Sequence, residues 1–111
     1  MAEEDLLREM KAAARAAVQD AQAAIVSAVR PDAYGLTINR EMQQFAQKRA
    51  EGASEAAQLV EAAADVEGAL DACITAATLF TATNPGFLGV VMVVQAVRQT
   101  WRDAQRRQQP G

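Results

Sequence analysis

No histidine occurs anywhere in the 111 residues. That absence removes the usual base near neutral pH, the commonest metal ligand, and any Ser–His or Cys–His nucleophile pair. A four-helix di-iron site, which needs Glu-x-x-His motifs, goes with it. The single cysteine, Cys73, excludes an intrachain disulfide. There is no excess of positive charge: 11 Lys and Arg stand against 14 Asp and Glu, for a net charge of −3. Nucleic-acid binding usually demands a basic face, so no nucleic-acid partner is expected. The alternating, β-branched pattern of strands is almost missing. Met1 to Met10 is acidic and has no apolar core, so a classical signal peptide is not expected. A cytoplasmic protein fits, and so does one secreted without a cleavable signal peptide.

What the chain has is alanine, 26 residues of it, with only one Trp, one Tyr and three Phe. Alanine is the best helix former, and the plentiful Leu, Arg, Gln and Glu follow it closely. The expected fold class is all-α: an antiparallel helical bundle or hairpin in one domain, with a narrow core and one long central helix flanked by two shorter ones. Helix 1 is expected over residues 3–29, opened by Glu3, Glu4 and Asp5 at its positive end and stopped before Pro31. The segment Arg30-Pro31-Asp32-Ala33-Tyr34-Gly35 reads as a turn.

Helix 2 is expected from Thr37, as an N-cap, to Ala82. Its seam reads Ile38, Phe45, Gly52, Leu59, Val66, Cys73 and Phe80 in one column, and Met42, Arg49, Ala56, Ala63, Leu70 and Ala77 in the other. Gly52 marks a possible kink. Cys73, within that seam, reads as a buried structural thiol. Asn84-Pro85-Gly86 restarts the chain, with Asn as N-cap and Pro at the first helical position, and helix 3 is expected over 85–107. At 1.5 Å per residue the central helix would span roughly 65–70 Å. Charges suggest the register of the fold-back: Arg15 near Glu51, Lys11 near Glu55, Asp20 near Lys48, Arg98 near Glu67 or Asp71, Arg102 near Asp65, and Arg106 near Glu61.

The pairs Glu51/Glu55, Glu61/Asp65 and Glu67/Asp71 stand four apart, each on one helix face. They read as a solvated face rather than a cation site. Gly86 and Gly89 lack the following Lys-Ser/Thr of a phosphate loop. No catalytic, cofactor-binding or metal-binding residue is expected, and the chain does not read as an enzyme.

Residues 72–97 carry no charge. A helix packing on one neighbour needs one apolar stripe, yet Phe87, Leu88, Val90, Val91, Val93, Val94, Val97 and Trp101 exceed one stripe. Large exposed apolar patches are rare on monomers, so these eight residues form the expected partner-binding surface, for another helical protein or a second copy. Two other readings stay open. The apolar segment could meet a membrane as a pore-forming or re-entrant hairpin, although its two halves are shorter than the 20 or so residues of a span. Alternatively, helix 1 could close the core over it.

The Ala-rich, acidic hairpin with Pro31-Asp32-Ala33-Tyr34-Gly35-Leu36 at its turn resembles the small secretion-associated proteins of actinobacterial type VII systems, the WXG-type relatives. The resemblance covers Met1 to Ala82, with Tyr34-Gly35 as the aromatic-Gly pair between two helices. It implies an adaptor, chaperone-like or co-secreted subunit that pairs with another helical protein. The chain departs from that pattern in having no Trp-x-Gly at the turn, no Tyr-x-x-x-Asp signal, and no counterpart for residues 84–111.

Overall fold

The computed structural model describes residues 2–28 and 36–108. These form four helices and no strand: α1 (Glu3–Ala28), α2 (Leu36–Glu61), α3 (Val66–Ala76) and α4 (Pro85–Gln108). Tyr34 and Gly35, the expected turn motif, lie outside the described residues. Leu36 already belongs to α2, so Thr37 is inside the helix rather than its N-cap.

The long central helix expected over 37–82 is in fact two helices. The break falls at residues 62–65 and not at Gly52, through which α2 runs unbroken. Ala62, Ala63 and Ala64 have high helix propensity, but Asp65 overrides it locally. Its backbone is extended (φ −151°), and its carboxylate accepts a hydrogen bond from the amide of Gly68 at 2.6 Å, closing the first turn of α3 as an N-cap. Asp65→Ala is expected to lower stability by about 1 kcal/mol, read as a fall in the urea midpoint. An unchanged midpoint would mean that packing alone makes the break.

Ion pairs fix the directions of the helices. Arg15 on α1 meets Glu61 at the end of α2 at 2.8 Å, and Arg107 at the end of α4 meets Glu9 near the start of α1 at 3.5 Å. The end of α4 beside the start of α1 makes those two antiparallel. Glu61, at Arg15, then stands level with the later part of α4 while Gly52 meets Gly86 at its start, so α2 and α4 run the same way and α1 opposes both. The expected Arg15–Glu51 contact is replaced by one ten residues further along α2, roughly 15 Å at the helical rise. That shift staggers the helices. The long axis is 55 Å, against about 39 Å for a helix of 26 residues. None of the other expected inter-helix ion pairs forms among the described residues.

The core is narrow because it is mostly alanine. Ala is the residue at ten of the eighteen buried apolar positions, and no polar or charged side chain is buried among the described residues. On α1 the inward stripe is Leu6, Met10, Ala14, Ala17 and Ala21; on α2 it is Ala46, Ala50, Ala53, Ala56 and Val60. Gly52 and Ala56 keep their expected places in the core, whereas Ala46, Ala50 and Val60 replace Phe45, Arg49 and Leu59, turning part of the stripe by one residue, about 100°. Met42 and Phe45 point largely to solvent, with Arg49 over the Phe45 ring. The rotation follows from how closely α4 crosses α2. A Cβ at Gly52 would overlap the Gly86 carbonyl, and one at Gly89 would overlap the Arg49 carbonyl and the Ala53 amide nitrogen. Only small residues fit beneath such a crossing, so the larger side chains are displaced from it.

Candidate functional site: the groove between α3 and α4

α4 touches all three other helices. This accounts for its apolar circumference: Val90, Val93 and Val97 are at most 1 % exposed, sealed within a single chain by α1, α2 and α3. The expectation that one neighbour leaves these valines uncovered came from treating α2 and α3 as one helix. Once the chain reverses at 62–65, α4 lies back along α2 and α1, so α1 closes the core over it as the alternative reading had it, and α3 adds a further wall.

That wall is incomplete, because α3 has 11 residues and α4 has 24. Between them lies an open groove of about 540 Å³ lined by Leu70, Cys73, Ile74, Ala77, Val94, Arg98 and Trp101. Antiparallel packing sets Leu70 level with Trp101, Cys73 with Arg98, and Ala77 with Val94. Cys73 is buried, as its place in the seam implied. Burial pushes its thiol above the ordinary value, and the nearby Arg98 guanidinium offsets only part of that. The thiol is therefore a packing group of low reactivity. Ile74 stands at the groove's rim with 70 % of its surface exposed.

The eight expected partner-binding residues separate into two sets. Val90, Val93 and Val97 belong to the core. Phe87, Val91, Val94 and Trp101 are half-buried, and Leu88 is exposed on the outer side of α4. Val94 and Trp101 come together in the groove, which Phe87, Leu88 and Val91 do not line. Ile74 is the residue that the sequence reading missed. It lies about one residue's rotation outside the Leu70–Cys73–Ala77 stripe, and an isoleucine off the seam of a capped helix is the signal that could have found it.

The acidic pairs do not converge. Glu61 pairs with Arg15, and Asp65 caps α3, so these two no longer share a helix face. Among the described residues no group of three Cys, Asp or Glu side chains is placed to hold a metal ion, and no helix is long and apolar enough to cross a membrane. Compared with family models, curated proteins and solved structures, the chain matches none.

Proposed function

We propose that this chain is a non-enzymatic helical interaction protein that receives a helix of a partner chain, another protein or a second copy, along the α3–α4 groove. The observation that carries this reading is the exposed Ile74 beside the half-buried Val94 and Trp101. A large aliphatic side chain at 70 % exposure loses contact with water only when something covers it. A half-buried Trp is a typical anchor at the centre of an interface. An elongated groove with apolar side chains at helical spacing suits a helix-in-groove contact. The likeness of residues 1–82 to type VII secretion subunits supports an adaptor, chaperone-like or co-secreted role as the setting.

The test is site-specific photo-crosslinking in the intact chain within its native cells, with the photoreactive residue in place of Ile74 or, as a control, of the exposed Gln19 on α1. A discrete adduct is expected at position 74 and not at 19. Absence of any adduct at 74, or equal labelling at both positions, overturns the proposal.

A further inference from the structure

We propose that the occupant of the α3–α4 groove is a second copy of this chain, paired face to face about a two-fold axis that lies along the groove; this rests on the groove being a docking surface. The charges beside the groove carry the inference. Glu67 and Asp71 stand one turn apart on the outer side of α3, and Arg98, Arg102 and Arg106 stand one turn apart on the outer side of α4. All five are exposed. None joins an ion pair within the chain, where the three pairs among the described residues are Arg8–Asp5, Arg15–Glu61 and Arg107–Glu9. The face therefore presents an acidic flank and a basic flank on either side of an apolar strip, each lacking an opposite charge.

Two kinds of two-fold axis bring this face against itself. An axis across the groove lays α3 on α3 and α4 on α4, so carboxylates meet carboxylates and guanidiniums meet guanidiniums. An axis along the groove lays α3 of one copy on α4 of the other at the same height and in the opposite direction. Asp71 then falls between Arg98 and Arg102 of the second copy, and Glu67 between Arg102 and Arg106. Ile74 falls between the second copy's Val94 and Trp101. Each contact occurs twice, as an isologous interface requires. Only the second arrangement matches acid to base and apolar to apolar at once. The charges set the orientation, and the apolar strip supplies most of the affinity.

Light scattering on the full chain over a wide range of concentration tests this. The expected mass is twice the 11.8 kDa of one chain, falling toward one chain as salt screens the flanks. The double variants Arg98→Glu/Arg102→Glu and Glu67→Arg/Asp71→Arg are each expected at single-chain mass with unchanged circular dichroism. Mixed in equal amounts, they are expected to return to two-chain mass, because each then supplies the charge that the other has lost. Wild-type protein that stays at single-chain mass overturns self-pairing, as does a mixture that fails to recover, or double variants that still pair. The crosslink at position 74 separates this outcome from the broader reading. A monomeric chain that forms an adduct with a different protein overturns self-pairing and retains the docking surface, whereas a monomeric chain with no adduct overturns both.

Discussion

Val93→Asp is expected to leave the chain unfolded at 25 °C, while Val91→Asp, two residues earlier in the same helix, is expected to fold. The substitution is chemically the same, so the difference comes from place. Val93 is fully buried between Val90 and Val97, on a helix that packs against all three others, and no polar side chain is buried anywhere among the described residues to receive a carboxylate. An ionised carboxylate there costs several kcal/mol in lost hydration. Protonation relieves the charge but leaves a hydroxyl and a carbonyl without partners, at roughly 2–7 kcal/mol. Losing the valine's own burial adds about 2 kcal/mol. A domain of this size is stable by about 5–15 kcal/mol, so the combined cost consumes most or all of that margin. At position 91 the side chain is half-buried and its carboxylate reaches water. There helix content is expected to survive. Thermal melts followed by circular dichroism decide the matter: if the two variants melt alike, the Val93 face of α4 is not the core.

The same helix shows where sequence reasoning was sufficient and where it ran out. The start of α4 is legible because its signal is local: Asn84 accepts from the amide of Gly86 at 2.8 Å, and Pro85 needs no donor at the first helical position. The break at residues 62–65 is not legible in that way. Three consecutive alanines favour helix by propensity, and Asp65 reads equally well as the second carboxylate of an i, i+4 pair with Glu61. What decides between cap and continuation is whether the returning segment has a surface to pack on, which is a tertiary fact. The consequence spreads. With an unbroken central helix, α4 has one side to hide and eight residues appear uncovered. With the break, three of those valines are core, and the uncovered surface shifts to the groove beside α3. Val94 was within reach because it lies in the uncharged stretch 72–97, and Trp101 because it continues the same helix beyond it. Ile74 was not, because the seam containing Cys73 drew the reading one residue away from it.

The rotation of α2 has a similar origin, and it leads to the sharpest expected result in the backbone. Gly89→Ala is expected to lower the melting temperature by more than about 10 °C, and Gly52→Ala to act in the same direction. Sequence alone argues the reverse, because replacing a mid-helix glycine by alanine ordinarily gains about 0.5–1 kcal/mol in helix propensity. At Gly89 the added Cβ would lie within overlap of the Arg49 carbonyl and 2.6 Å from the Ala53 nitrogen. Both obstacles are backbone, so no rotamer change relieves them, and α2 and α4 must separate along their crossing. Overpacking costs typically 1–3 kcal/mol even where side chains can yield. Against main chain the upper end or more applies, which exceeds the propensity gain severalfold. Each kcal/mol moves the midpoint by roughly 4–8 °C in a domain near 100 residues. Gly68→Ala supplies the contrast. Its Cβ would meet the Asp65 carboxylate oxygen at 3.0 Å, the tip of a side chain that can shift, and otherwise only Ala63 at 3.6 Å or beyond. That variant is expected to melt within a few degrees of the parent chain. If alanine at position 89 raises the midpoint as it does in an ordinary helix, the tight α2–α4 crossing is wrong. With it would go the reason that alanine occupies the α2 face and that Met42 and Phe45 are turned outward.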